Sequence, residues 1–342
     1  MLWTLLLYLI ALIILYLLLI IFSPVFPEPR QPIESTNKEF MAETSLENRH
    51  QVSFSVDGLK IKAWLYLPDN IEQPVPCIVL NNGFGGTKDM VLERYALRFN
   101  KAGFAALSYD YRYFGENEGK PRQLYSTNKQ IEDLLAAAEY LKTRKEIDKK
   151  NIAIWGTSAA GGYGIIAAAK NKDIKCIIGQ CPGLDNDSDQ KSVFEREGFL
   201  FFLKLLIHAQ RDKGRSRFNL SAHTIPIVGM PHTTAIHTVP GAYRGYREIA
   251  TDNFINEVCA RLKLIRHPNP IDYADKLDCP ALFQICEKDE FISLEAYKKA
   301  EKILGNKAIF AKYPIGHFDI YQGKYFEQAI KEQIDFLKEH LN

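Results

Sequence analysis

The sequence lacks the marks of several large functional classes. Its 43 Lys and Arg residues almost cancel its 41 Asp and Glu residues, leaving a net charge of +2 over 342 residues. So even a balance gives no electrostatic footprint for a phosphate backbone, and nucleic acid is set aside as a partner. No run of like charges forms an acidic tail or a polybasic lipid patch. The chain has no G-x-x-x-x-G-K-[ST] loop and no G-x-G-x-x-G followed by an acid on the next strand, so it has neither common glycine-rich cradle for a nucleotide. No cofactor and no metal ion are expected. There is no internal repeat. The cysteines number only six, and Cys77, Cys176, Cys181 and Cys286 fall in or beside apolar runs, with Cys279 just before another and Cys259 in the middle region. Cysteines placed like this behave as small buried hydrophobes and tilt the reading away from a disulfide framework.

Charge is also missing from one end of the chain. Leu2 to Phe22 carry none, and Thr4 is the only small polar side chain among them. As a helix the segment would span roughly 30 Å, the thickness of a bilayer core. A cleaved signal peptide is the competing reading. Against it, no Lys or Arg precedes the apolar run, and Phe22-Ser23-Pro24-Val25 offers no small-x-small cleavage site. The expectation is therefore a single-pass membrane anchor over residues 1–22. Residues 23–48, with Pro24, Pro27, Pro29 and Pro32, have the composition of a spacer.

From His50 onward the pattern becomes strand, then alternating strand and helix. Residues 51–56 and 59–67 flank Asp57-Gly58 as a hairpin. Short apolar runs at 76–81, 104–109, 151–155, 174–179, 281–286 and 308–313 fit strands covered on both faces. Amphipathic segments at 87–102, 126–143, 160–170, 293–304 and 322–340 supply the helices. This alternation predicts an α/β fold with a mostly parallel, doubly wound sheet. The rhythm breaks between about Gly183 and Tyr273, an interval too long for a loop. It holds one apolar stretch, Phe199 to Ile207, and a helical-looking one, Arg244 to Leu264. The expected organisation is a core over 49–182, a mostly helical cap over 183–273, and the rest of the core over 274–342.

The chemistry sits where strands end. Trp155-Gly156-Thr157-Ser158-Ala159-Ala160-Gly161-Gly162 follows a buried strand and opens a helix, the setting of a nucleophile elbow. A serine N-cap flanked by small packing residues would look similar, so the serine needs partners. Its hydroxyl is a poor nucleophile until a base removes the proton and an acid orients that base. Of the eight histidines, His208, His223, His232, His237 and His267 lie in the cap interval and His50 and His340 at the domain's edges. Only His317 lies in a loop directly after a sheet strand. Asp289 follows the strand 281–286, with Glu287, Glu290 and Asp319 as competitors. All three choices fall at the carboxyl edge of the sheet, where such sheets act on ligands, in the order Ser, Asp, His. Asn82-Gly83-Phe84-Gly85-Gly86 ends another strand, and the Phe84 and Ala159 N–H groups are the candidate oxyanion hole.

These residues carry a resemblance. Asn82 to Met90, Asp110-Tyr111-Arg112-Tyr113-Phe114-Gly115, Trp155-Gly156-Thr157-Ser158 and Pro314-Ile315-Gly316-His317-Phe318-Asp319 resemble bacterial and fungal α/β hydrolases related to dienelactone hydrolases and the X-Pro dipeptidyl-peptidase-like domain. The resemblance runs over roughly residues 50–342 and implies an α/β-hydrolase fold with Ser158, Asp289 and His317 as a triad. Members usually carry histidine where this chain has Asn82 and glycine where it has Ala160. Asp110 and Arg112 look like a structural pair. The leading expectation is hydrolysis of a carboxylic ester of a small acyl substrate through an acyl-serine intermediate. A peptidase or an acyl transferase would use the same residues. A non-catalytic hydrolase-like interaction protein would not need Ser, Asp, His and the glycine-rich turn intact together.

Overall fold

The computed structural model describes residues 2–22, 33, 48–69, 71–231 and 233–341. The expected spacer at 23–48 lies outside the described residues apart from Ile33 and Asn48, and His232 lies outside them too. The chain opens with helix α1 (Leu2–Phe22), whose Leu2–Leu19 stretch has a mean hydropathy of 2.7 and buries nothing against the rest of the chain. That helix is long and apolar enough to cross a membrane.

The core begins with β1 (Arg49–Val56) and β2 (Leu59–Tyr66), paired antiparallel around Asp57 and Gly58 at φ 49° and 75°. Two consecutive positive φ values match the twist of a two-residue hairpin. There follow β3 (Val75–Asn81), α2 (Leu92–Lys101), β4 (Ala105–Tyr109), α3 (Thr127–Leu141), β5 (Ile147–Thr157), α4 (Tyr163–Lys170) and β6 (Ile174–Gln180). The segment between β6 and β9, where the cap is expected, holds α5 (Asn186–Arg217), β7 (Thr224–Ile225), α6 (Pro240–Ile249) and β8 (Val258–Cys259). The core resumes with β9 (Ala281–Cys286), α7 (Leu294–Leu304), β10 (Ala308–Tyr313) and α8 (Gly323–His340).

Eight strands form one sheet in the order β1-β2-β4-β3-β5-β6-β9-β10, and every pairing from β4 to β10 is parallel. The strands are apolar on both faces because both faces are covered. Val79, Ile152 and Ile154 point into one core with α3, α4 and α7, whereas Ile78, Leu80, Ala153 and Trp155 point into another with α2 and α8. The fold is the α/β type expected, with a mostly parallel, doubly wound sheet. All six cysteines are free, and only Cys279 is not fully buried.

Three local expectations need correction. Helix α2 starts at Leu92 rather than near residue 87, because Lys88 is committed elsewhere: its ammonium is buried 2.9 Å from Asp110 and 2.8 Å from Glu116. Asp110 and Arg112 therefore do not pair with each other. Arg112 is buried against Asp133 at 2.6 Å and reaches Asp57 at 2.6 Å. The helix expected over Arg244–Leu264 is interrupted: α6 stops at Ile249, and only a 3-10 turn over Ala260–Leu264 resumes it. Thr251 and Asn253 beyond α6 bond the Asp89 carboxylate at 2.6 and 2.7 Å, and such short polar side chains compete with helix hydrogen bonding.

Candidate active site

Strand β5 delivers Ser158 to a sharp turn. Its φ is 55°, a left-handed conformation that costs a non-glycine residue on the order of 1–3 kcal/mol, and such strain concentrates at functional sites. The 3-10 turn Ser158–Gly162 then feeds α4. The turn is so tight that a Cβ on Gly156 would meet the Ala160 carbonyl oxygen at 2.2 Å. Glycine is required at that position. Ala160 is buried in the core beside it.

The loop after β10 brings His317, and the loop after β9 brings Asp289. Those loops are zipped together by the Glu287 and Lys288 N–H groups, which donate to the Tyr313 and Ile315 carbonyls at 2.8 and 2.9 Å. His317 Nε2 lies 2.9 Å from Ser158 Oγ, and His317 Nδ1 lies 2.6 Å from Asp289 Oδ2. The other Asp289 oxygen accepts from the Phe291 and Ile292 N–H groups at 2.7 and 3.0 Å, which fixes the carboxylate. An ionised carboxylate only accepts, so Nδ1 carries the proton and Nε2 is free to accept from the serine hydroxyl. Burial alone would depress the imidazole, but the Asp289 charge, together with Cys181, overrides it and holds His317 well above the usual range.

The competitors are turned elsewhere. Asp319 accepts from the Gly316 N–H at 2.9 Å, Glu290 accepts from the Gly241 N–H, and Glu287 is exposed. The glycine-rich turn after β3 passes over the serine, since a Cβ on Gly83 would come within 3.0 Å of the Ser158 Cβ. Asn82 braces this turn from inside, accepting from the Gly83 N–H and donating to the Thr87 carbonyl. Two tyrosines brace it from outside: the hydroxyl of Tyr246, on α6, donates to the Phe84 carbonyl at 2.9 Å, and the Phe84 ring stacks on Tyr125, just before α3, at 4.2 Å.

Sequence reasoning missed the contributors from irregular segments. His237 packs edge-on against Phe84, and burial depresses its imidazole to about 3, so it stays neutral. Cys181 lies 3.9 Å from His317 Nε2 and 3.5 Å from the Tyr321 hydroxyl, which in turn meets Thr157 Oγ1 at 2.6 Å. Neither position stands in a periodic segment or a motif, so no local signal marked it.

Ser158 opens into a cavity of about 960 Å³, walled by Phe84 and Ala159 from the sheet's edge and by Val193, Phe201, Phe202 and Leu262 from the cap. That is the size of a site for a small organic molecule. Among the described residues no group of three or more His, Cys, Asp or Glu side chains stands in a metal-binding arrangement.

Known proteins agree with this architecture. Residues 57–303 match the X-Pro dipeptidyl-peptidase (S15) family. The quorum-quenching protein AidA of Acinetobacter baumannii is 36% identical over 84% of this chain and 93% of its own length. A thiohydrolase, aneE, of Aspergillus aculeatus is 40% identical over a shorter stretch, 37% of this chain and 39% of that protein. The crystal structure of the α/β hydrolase GrgF from Penicillium superposes with a TM-score of 0.69 at 23% identity, covering 86% of this chain and 99% of that one. The match over residues 57–303, most of the chain, on a mostly parallel sheet, places the chain in the X-Pro dipeptidyl-peptidase (S15) family of α/β hydrolases.

Proposed function

We propose that this hydrolase is a membrane-anchored serine esterase that cleaves a carboxylic ester through an acyl-serine intermediate. The observation that carries the reading is the continuous chain Ser158 Oγ, His317, Asp289, with contacts of 2.9 and 2.6 Å. His317 Nε2 takes the hydroxyl proton as Ser158 Oγ bonds to the carbonyl carbon. The carbonyl oxygen becomes an oxyanion held by the Phe84 and Ala159 N–H groups, which are fixed before the reaction begins. His317 returns its proton to the leaving alcohol as the carbon–oxygen bond breaks. A water, deprotonated by the same nitrogen, then hydrolyses the acyl-serine. Asp289 keeps the ring in the tautomer this needs. Helix α1 holds the catalytic domain at a membrane.

The test is a fluorophosphonate probe, which reacts only with an activated serine. The wild-type chain should label, and Ser158→Ala should not. A panel of esters, thioesters and aminoacyl amides then fixes the acyl donor. Turnover of amides or thioesters with none of esters would overturn the ester assignment while leaving Ser158 as nucleophile. The thioester arm is included because aneE is a thiohydrolase.

A further inference from the structure

Helix α5 has two apolar faces, and the protein covers only one. Beyond the break at Gly198, Phe201, Leu205, Ala209 and Asp212 recur every three or four residues and are buried. Phe199, Leu200, Leu203, Leu206 and Ile207 recur on the opposite side and are 39% to 70% exposed. Further along that face Lys213 and Arg217 are exposed, and Lys204 flanks it. The face carries no acid. Between Phe199 and Phe218 the one carboxylate is Asp212, which is buried and held by Arg261 at 2.6 Å. A contiguous apolar stripe of this kind on a soluble surface marks an interaction site.

What covers it is indicated by where α1 ends. The Arg215 guanidinium donates to the Ile21 carbonyl at 3.0 Å, and the Phe22 ring lies 5.1 Å from that of Phe218. A Cβ on Gly214 would come within 2.6 Å of Ile21, so the two helices touch closely there. The end of an apolar spanning helix lies at the bilayer surface, and these contacts put the end of α5 at the same level. The same face runs back from that point for roughly 27 Å to Phe199, and the apolar side chains occupy about the far 12 Å of it, at about 1.5 Å per residue. A helix that is apolar on one side, basic at its margins and free of exposed acid fits the headgroup layer of an anionic bilayer.

We propose that the face of α5 formed by Phe199, Leu200, Leu203, Leu206 and Ile207 rests in the interfacial layer of the bilayer that α1 spans. Lys204, Lys213 and Arg217 then lie against anionic headgroups. The proposal rests on the reading of α1 as an anchor. It also narrows the substrate class. Phe201 and Phe202 of the same helix line the cavity over Ser158, so the cavity lies about one helix diameter, 10–12 Å, from the lipid. Esters of long acyl chains dissolved in the membrane are the substrates so placed.

The test uses the full chain reconstituted into vesicles of phosphatidylcholine and phosphatidylglycerol. An environment-sensitive fluorophore is attached at Leu203→Cys, with Lys145→Cys as an exposed control and Cys279→Ser in both. Spin-labelled lipid should quench the probe at position 203 severalfold more than at 145, and aqueous iodide should show the reverse order. Equal quenching by iodide at both positions, in protein that resists alkaline carbonate extraction, overturns the membrane face and leaves the anchor standing. Release by carbonate overturns the anchor and this proposal with it. Protection from both quenchers, with cross-linking between copies at position 203, overturns it in favour of a second copy of the chain. Leu200→Glu with Leu203→Glu should lower turnover of a vesicle-embedded long-chain ester severalfold. The same variant should leave a water-soluble short-chain ester unaffected, and equal loss on both substrates also overturns the proposal.

Discussion

The short contact between His317 Nδ1 and Asp289 Oδ2, 2.6 Å with the Asp289 side chain wholly buried, lets one carboxylate set the tautomer of the ring and contribute most to raising its basicity. Removing that charge by Asp289→Asn should lower ester turnover on the order of 10⁴-fold, because the amide favours the wrong tautomer. Asp319→Asn should have a far smaller effect, since its carboxylate bonds only the Gly316 N–H among the described residues. Turnover of a short-chain ester by both variants, with circular dichroism as the folding control, decides between them. A folded Asp289→Asn enzyme with near-normal turnover would sink the assignment. The same pair sets the pH profile. The free base must be neutral, and the imidazole is held well above its ordinary value of 6.5. As pH falls, kcat/KM should therefore decline from above 6.5 rather than through the usual histidine range of roughly 6–7. In Asp289→Asn the largest effect opposing burial is gone, and the acidic limb should move to lower pH. The protonated pair also stabilises the fold, fully below about 6.5 and less as pH rises through the raised value. A wild-type limb below 6.5 would show that Asp289 does not charge-couple to the ring.

At the scale of elements, what was legible in the sequence was whatever repeats locally. The runs around Ile78, Ile154 and Phe283 are continuous and apolar because helices cover both sides, and that pattern needs no tertiary information. Ser158, Asp289 and His317 could be placed because each directly follows such a run. The cap could not be read so easily. Its α5 changes face at Gly198, with φ 77°, and averages two helices into one weak pattern. Its strands β7 and β8 are two residues each and pair across a long separation, so their alternation is invisible. Lys88 was read as part of a helix because its true partners, Asp110 and Glu116, lie more than twenty residues away. The cap's role is nonetheless testable. Phe202 lines the cavity from α5, so Phe202→Ala, which removes a whole ring where even one methylene is worth about 1–3 kcal/mol, should favour bulkier acyl chains over acetyl by at least about tenfold. Probe labelling of Ser158 should persist. Equal losses on all esters, with labelling gone, would count against a selectivity role for the cap.

The whole molecule joins its apolar helix α1 to the α/β domain through a small contact. Leu2–Leu19 bury nothing against the domain, and the contact rests on Ile21 and Phe22 against Gly214, Arg215 and Phe218. Deleting residues 1–30 removes one acceptor from Arg215, which still donates to the Ser221 carbonyl and hydroxyl at 2.8 Å each. Losing one such charge-assisted bond costs about 1.5–3 kcal/mol, small against a core built on both faces of eight strands. The shortened chain should therefore fold and should keep its turnover of a water-soluble ester. It should not, however, become indifferent to lipid. The α5 stripe remains, and with its lysines and arginine it should hold the truncated enzyme to phosphatidylglycerol vesicles reversibly. Binding should weaken as salt screens the headgroup attraction over a Debye length of about 8–10 Å. Flotation of the truncated chain with anionic and with neutral vesicles, at low and high salt, measures this. Flotation only with anionic vesicles, reduced by salt, is the expected result. A truncated enzyme that is active yet stays wholly in the aqueous fraction would mean that α1 alone carries the membrane affinity. One that loses activity on the soluble ester would mean that the contact at Ile21 supports the fold of the cap and, through Tyr246 and Phe84, the turn over Ser158.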